Sequence, residues 1–354
     1  MKKELLAATA LVSTVVGASV AEAASASWSG SVKAGVAGAD TDGTADGTFG
    51  ASQQHNLSFS ASETTDGGVK ISTGFTVVNE GGASHDSSGL TLTFTDGSKL
   101  DLIEAGNAYS TKLATVPSAS GETGITGTTA NHAPTGLAFA NSSSNVGFEY
   151  HSVADAFGVD GLTWGLSGSA GDDGDGTGSS STVENAYSLG VNYVTTAGDT
   201  TVTVGGGFMN ADDSNSDSAN SKGEETAISL TAVTGDLTVG VGWASGSEIA
   251  THSSTTANSE VDGAEVMTAG AKYVSGDITF AVGIVDGDAK DIATLGSAGS
   301  NTDEYNKQAA SVSYTVASGV TAILGFSNEE RVDEGAATKD VSGSTWYVGA
   351  TVSF

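Results

Sequence analysis

Residues 345–354 read TWYVGATVSF, and their side chains alternate between apolar and polar or small. One face of an extended strand would carry Trp346, Val348, Ala350, Val352 and Phe354. The other face would carry Tyr347, Gly349, Thr351 and Ser353. Alternation of period two indicates a β-strand with one apolar and one polar environment. The end of the chain therefore predicts a two-sided strand that finishes on an aromatic residue.

The same alternation recurs upstream, and helical periodicity is weak throughout. We assign sixteen strand segments: 25–38, 53–63, 68–79, 89–95, 98–106, 144–154, 161–170, 183–195, 200–210, 225–234, 236–246, 265–275, 277–287, 306–317, 320–330 and 345–354. Most are about 9–12 residues long, which suits a tilted membrane strand better than a globular strand of about 5–6 residues.

The connections between these segments alternate in length. The short ones are rich in Gly and Asp, as tight hairpins require, and they are 64–68, 95–98, 155–161, 196–200, 234–237, 275–278 and 317–320. The long ones are 39–52, 80–88, 107–143, 171–182, 211–224, 247–264, 288–305 and 331–344. Short turns on one side and long loops on the other are typical of outer-membrane barrels.

These patterns predict an all-β protein, a 16-stranded antiparallel transmembrane β-barrel. An open sheet edge in lipid would leave backbone groups unsatisfied, so the sheet must close. Fourteen or eighteen strands remain alternatives, because several single segments are weakly marked. Barrels of about 16–18 strands enclose an aqueous channel, whereas eight-stranded barrels fill with side chains.

Composition excludes several classes of function. The chain has 42 acidic against 12 basic residues, a formal net charge of −30, and no cysteine. Nucleic acid is excluded as a partner because phosphate binding needs a basic surface. Disulfide frameworks and thiolate chemistry are excluded by the cysteine count.

The beginning of the chain predicts a secretory signal peptide over residues 1–23. Lys2 and Lys3 form a positive region, a weakly apolar stretch follows, and Ala21-Glu22-Ala23 fits a cleavage site. We expect residues 24–354 to form the mature barrel.

The start of that mature chain, ASASWSGSVKAGVAG (24–38), and its last strand resemble the general diffusion porins of Gram-negative bacteria, especially the alphaproteobacterial type. The resemblance implies a homotrimer in the outer membrane, in contact with lipid and lipopolysaccharide. It also implies that the barrel-assembly machinery recognises the terminal strand, and that the third long loop folds inward as a constriction.

That third long loop is 107–143, the longest connection of the chain. It contains both prolines, Pro117 and Pro134, and its charged residues include Lys112 and Glu122. Fixed φ angles at two points suit a segment packed inside a barrel, and an unstructured outer loop is the alternative.

Alternation assigns the charged residues that would line a pore. The basic set is Lys33, Lys70, Lys272, Lys307 and Arg331. The acidic set is Asp101, Glu149, Glu184 and Glu329. The wall is nearly balanced, so we expect a transverse field at the constriction. The acidic long loops predict a cation preference.

Neither catalysis nor a resident cofactor is predicted. The five histidines, His55, His85, His132, His151 and His252, lack the i,i+4 spacing of a zinc helix. Asp172, Asp173 and Asp175 could bind calcium, the one metal we consider, although a solvated acidic loop accounts for them equally well.

Two rival functions remain. A secreted or surface-layer, calcium-binding, β-rich adhesin would explain the acidic loops. It would leave unexplained the alternation of turn lengths and the terminal Phe354. The sequence alone does not distinguish a substrate-specific channel from a general one.

Overall fold

The computed structural model describes residues 24–41, 48–79, 83–102, 107–119, 146–170, 183–213, 222–249, 260–290, 302–333 and 341–354. At several strand ends the backbone alone is described. The predicted signal peptide, 1–23, lies outside the described residues. Within the described part of the chain, no helix is both long and apolar enough to cross a bilayer.

Sixteen strands account for most of the described chain. They are β1 (Ser25–Thr41), β2 (Thr48–Thr64), β3 (Lys70–Asn79), β4 (Ala83–Thr93), β5 (Lys99–Leu102), β6 (Val146–His151), β7 (Leu162–Ala170), β8 (Val183–Ala197), β9 (Thr200–Asp213), β10 (Lys222–Thr234), β11 (Leu237–Ile249), β12 (Glu260–Ser275), β13 (Ile278–Lys290), β14 (Thr302–Ala317), β15 (Val320–Asp333) and β16 (Val341–Ser353). A one-turn helix, α1 (Ala108–Thr111), and a 3-10 turn, Ala156–Gly158, complete the elements.

The strands form one closed antiparallel barrel in which each strand pairs with its neighbours in sequence and β1 pairs with β16. The prediction of sixteen strands is confirmed. Many strands extend past the predicted ends on the side of the long loops; β12, for example, begins at Glu260 rather than at residue 265. Backbone pairing, once established, continues beyond the stretch in which side chains alternate. β5 is described over Lys99–Leu102, and the rest of its predicted extent, 103–106, lies outside the described residues.

The last residue extends the pairing of β1 with β16 that closes the barrel. Gly30 and Phe354 exchange two backbone hydrogen bonds, each of 2.9 Å. The ring of Phe354 covers Gly30, where a Cβ atom would lie 2.6 Å from the ring atom Cζ. The ends of the sheet are thus joined by both backbone and side chain.

Three of the short turns share one chemistry. Gly198-Asp199, Gly235-Asp236 and Gly276-Asp277 each connect two strands. Their glycines have φ of 64°, 55° and 59°, and none of the aspartates has a positive φ. A positive φ at the first position alone is the type II′ hairpin, which favours glycine there. In the turn before β5, the hydroxyl and backbone N–H of Ser98 donate to Asp96 and hold the pKa of that carboxyl below its usual value.

The outer face of the barrel is apolar and exposed. Trp28, Val241, Leu324 and Phe326 are each at least half exposed. Exposed apolar surface that encircles a molecule indicates a lipid environment rather than water. The inner face carries mainly Gly, Ser, Thr and charged side chains. Its buried apolar residues form only small clusters, such as Ala37 with Ile323 and Tyr347.

Candidate functional site

Residues 107–119, which we call the inner segment, lie inside the barrel. The segment begins with α1, whose N-cap Asn107 accepts a hydrogen bond of 2.8 Å from the N–H of Ser110. The N–H of Ala108 donates to Ser167 Oγ at 3.2 Å, and the N–H of Tyr109 donates to Ser188 Oγ at 3.1 Å. Side chains of β7 and β8 therefore fix α1 against the wall.

Residues 112–118 have no regular structure, and wall side chains satisfy part of their backbone. The N–H of Ala114 donates to Ser229 Oγ at 2.6 Å. Asn192 Nδ2 donates to the carbonyl of Lys112 at 2.9 Å. Thr231 donates to the carbonyl of Thr115 at the same distance. Irregular backbone at membrane depth is stable only with such partners. The prediction that the third long connection folds inward is confirmed for this part of it.

Inward-facing glycines make room for the inner segment. A Cβ at Gly190 would overlap the carbonyl oxygen of Ala108, and a Cβ at Gly270 would overlap that of Pro117. A Cβ at Gly207 would lie 2.7 Å from the carbonyl oxygen of Tyr109. We call Gly165, Gly190, Gly205, Gly207, Gly240, Gly270 and Gly283 the glycine track. Strand register brings its members side by side, as in the pairs Gly165–Gly190 and Gly190–Gly207.

Tyr109 anchors the segment through a buried polar contact. Its hydroxyl donates to the carboxylate of Glu225 on β10, and Tyr109 and Glu225 are 5% and 2% exposed. The ring packs against Met209 and Ala227. Sequence reasoning missed both Tyr109 and Glu225. Glu225 shares the inner face of β10 with Ser229 and Thr231, so alternation could have found it.

Two carboxylates and a histidine meet beside α1. Asp101 on β5 lies opposite Glu149 on β6. His151 Nε2 is 2.9 Å from Asp101 Oδ2 and 3.7 Å from Glu149 Oε1. Thr111 of α1 donates to Glu149, which is 1% exposed. The buried Lys112 follows directly.

Strand register shows where the predicted pore-lining residues lie. On the strands that contact the inner segment, the inner face is the one that carries the contacting residues. Cross-strand register then identifies the inner face of the remaining strands. Seven of the nine predicted residues have described side chains on this face: Lys33, Lys70, Asp101, Glu149, Lys272, Lys307 and Glu329. The side chains of Glu184 and Arg331 lie outside the described residues.

Few of these charges are brought together. Lys307 Nζ lies 3.5 Å from Glu329 Oε2 on the neighbouring strand. Asp101 and Glu149 face each other. Lys33, Lys70 and Lys272 lie on separate parts of the wall, on β1, β3 and β12.

Within the predicted constriction loop, Pro117 contacts the glycine track at Gly240 and Gly270. Lys112 also lies against the wall, with its Cε facing Gly165. Glu122 and Pro134 lie outside the described residues, and so do Asp172, Asp173 and Asp175. The calcium site at those three aspartates stays a prediction.

A closed barrel with an apolar outer face and a chain segment held inside it is the architecture of a membrane channel. The model of the Gram-negative porin family matches residues 7–334 of the chain. The chain belongs to this family. The porin is therefore an outer-membrane channel protein, and membership favours this function over a secreted adhesin and over an enzyme. We found no match among curated proteins.

Solved porin structures share the fold of this porin. The first is a structure described as a porin, with a TM-score of 0.60 and 15% sequence identity. The match covers 93% of this chain and 100% of that porin. An anion-selective porin from Comamonas acidovorans has a TM-score of 0.63 and 13% identity, covering 94% of this chain and 100% of its own. The trimer form of OmpT from Vibrio cholerae has a TM-score of 0.59 and 13% identity, with the same coverage.

Proposed function

We propose that this porin conducts small hydrophilic solutes and ions by passive diffusion through a water-filled pore that the inner segment narrows. The observation that carries the proposal is the way the segment is held. Serine hydroxyls of three strands, Ser167, Ser188 and Ser229, accept its backbone N–H groups, and glycines lie beneath it. A segment held against the wall in this way would reduce the cross-section of the lumen.

The charged residues on the inner face would give the pore a polar wall. Lys272 on β12 lies on the far side of the barrel from the Asp101–Glu149 pair on β5 and β6, whereas Lys33 on β1 and Lys70 on β3 lie nearer to that pair along the wall. Separated charges of opposite sign across a narrow lumen orient dipolar solutes and disfavour apolar ones. We propose a cation preference in addition, because the long connections carry most of the excess of acidic over basic residues.

We further propose that the porin assembles as a homotrimer in contact with outer-membrane lipid and lipopolysaccharide, and that the barrel-assembly machinery inserts it. The trimer form of OmpT supports the first point by similarity of fold. Electrophoresis without and with heating tests it, since a porin trimer migrates as one large species until it is heated.

The pore is tested by single-channel recording of the purified protein in planar bilayers. A variant that replaces residues 112–118 with a short Gly/Ser linker should conduct more than the wild type, because the narrowing is removed. A variant with two residues added to the Gly276-Asp277 turn serves as the control and should conduct like the wild type. Unchanged conductance in a correctly assembled segment variant would contradict the proposed constriction.

A further inference from the structure

Asp101, Glu149 and His151 form a compact set of metal-ligating groups, which we call the Asp-Glu-His cluster. Glu149 and His151 are two residues apart on β6 and so share its inner face, and Asp101 is the cross-strand neighbour of Glu149. One carboxylate oxygen from each acid and one imidazole nitrogen all lie within 4.8 Å of one another.

The two separations from His151 are close to those of a single metal site. Tetrahedral zinc holds nitrogen and oxygen ligands at about 2.0–2.2 Å, which places the ligand atoms about 3.3–3.6 Å apart. His151 Nε2 is 2.9 Å from Asp101 Oδ2 and 3.7 Å from Glu149 Oε1, on either side of that range. Small rotations of the side chains would bring both separations into it.

The charge of the cluster also calls for a cation. Glu149 is 1% exposed, and an ionised carboxylate at that depth requires compensation. The charge of Lys112 acts on Glu149 and that of Lys99 acts on Asp101. Among the described residues, however, no Lys or Arg nitrogen lies within 4 Å of either carboxylate, and His151 alone contacts both.

Hydroxyl groups position the two carboxylates in advance. Thr91 of β4 donates to Asp101 Oδ1, and Thr111 of α1 donates to Glu149 Oε1. Asp101 Oδ2, the oxygen nearest the imidazole, does not receive the Thr91 bond. Hydrogen bonds to ligand side chains are the usual support of metal sites, because they fix the orientation of the ligands.

We propose that the Asp-Glu-His cluster binds one divalent transition-metal ion of the zinc class on the inner face of the barrel. An imidazole nitrogen favours zinc-like metals over calcium and magnesium, which prefer oxygen ligands alone. Three protein ligands leave a coordination position for water, and the cluster is open to the lumen through His151 and Asp101, which are 20% and 25% exposed.

Protons and the metal compete for Nε2 of His151, the ring nitrogen that lies 2.9 Å from Asp101 Oδ2. A neutral ring binds the metal through the lone pair of Nε2 and keeps its one proton on Nδ1, whereas an imidazolium must first release the Nε2 proton to solvent. Both carboxylates bind as anions. Affinity therefore falls as the pH is lowered, because protons compete for the same nitrogen.

The consequence for conduction rests on the proposed function. A bound dication would neutralise the two carboxylates beside α1, which Thr111 links directly to Glu149. We expect zinc to lower the cation conductance of the pore and leave the fold unchanged.

Calorimetric titration of the purified, detergent-solubilised porin with Zn²⁺, in a large excess of Mg²⁺ to occupy acidic loops, tests the site without any conduction. We expect one Zn²⁺ per chain and at least about tenfold weaker binding in His151→Gln and Glu149→Gln. His55→Gln, on the outer face of β2, is the matched control and should bind like the wild type. Equal affinity in wild type and His151→Gln, or no saturable binding, would overturn the proposal.

A spectroscopic measurement separates the site from loss of folding in a variant. Cu²⁺ bound to the wild type should show nitrogen coupling from one imidazole in its electron paramagnetic resonance spectrum, and His151→Gln should lose that coupling while retaining heat-modifiable migration. A spectrum with oxygen ligands alone in the wild type would overturn the proposal. Zinc binding without any change in conductance would count against the constriction at α1 and leave the metal site intact.

Discussion

Gly190 shows how a single missing side chain positions the inner segment. Its register partners Gly165 and Gly207 are also glycines. Gly190 and Gly207 face the backbone of α1, and Gly165 faces the side chains of Ala108 and Lys112. Composition could not reveal this arrangement. Glycine occurs 50 times in the chain, and only strand register shows which glycines lie side by side.

Gly190→Ala should displace the inner segment, because its Cβ would overlap the carbonyl of Ala108. Overpacking of this kind costs about 1–3 kcal/mol. We expect a lower Tm and a higher, noisier single-channel conductance. Gly50→Ala is the control, since it is also on the inner face but has no atom within 4 Å of its Cβ position. Wild-type conductance in Gly190→Ala would show that the segment is not seated on the glycine track.

Tyr109→Phe should also weaken the attachment of the inner segment to the wall, through loss of a hydrogen bond rather than through overlap. It removes the hydroxyl that donates to the buried carboxylate of Glu225 and keeps the ring that packs on Met209. Losing one partner of a buried, charged hydrogen bond costs about 1–3 kcal/mol. Chemical unfolding measures the change, and Tyr314→Phe, at a half-exposed tyrosine on the outer face, is the control. Strict additivity with Glu225→Gln in a double-mutant cycle would show that the two residues are not coupled.

The strands were predictable because each has one face toward lipid and one toward the lumen, so apolar and polar side chains alternate with a period of two residues. Alternation placed Lys33, Lys307 and Glu329 on the inner side, where the register also places them. The Asp-Glu-His cluster was not predictable in this way. Glu149 and His151 were visibly on one face, but Asp101 reaches them only through the pairing of β5 with β6, which are separated by the longest connection.

β16 closes the barrel by pairing with β1, and the residue that follows it, Phe354, extends that pairing. Deleting Phe354 removes two backbone hydrogen bonds to Gly30 and the ring that covers it. We expect a several-fold lower yield of heat-modifiable porin in the outer membrane, with export to the periplasm unchanged. Phe354→Tyr retains the ring and the backbone bonds and should assemble normally. Equal yields from the deletion and the wild type would contradict a closing role for this residue.

At the scale of the whole molecule, charge is distributed unevenly between wall and loops. The formal net charge is −30, yet the inner wall carries lysines and carboxylates in similar numbers. If charges on the wall set the ion selectivity, it would depend on short-range interactions, such as that of Lys307 with Glu329. Salt screens such interactions little. If the acidic loops at the mouth set the ion selectivity, it would depend on an electric field exposed to solvent. The dependence of selectivity on salt concentration therefore distinguishes the two origins.

We expect the reversal potential across a bilayer under a KCl gradient to show a preference for potassium over chloride that weakens as salt rises. The Debye length falls from about 10 Å at 0.1 M to about 3 Å at 1 M, so the enrichment of cations by the mouth should largely vanish at high salt. Replacing Asp172, Asp173 and Asp175 with asparagine should reduce the low-salt preference and leave the high-salt value unchanged. Neutralising Glu329 instead should act at both concentrations, because it faces Lys307 on the inner wall. Anion selectivity at both concentrations would show that lysines such as Lys33 and Lys70 outweigh the acidic loops.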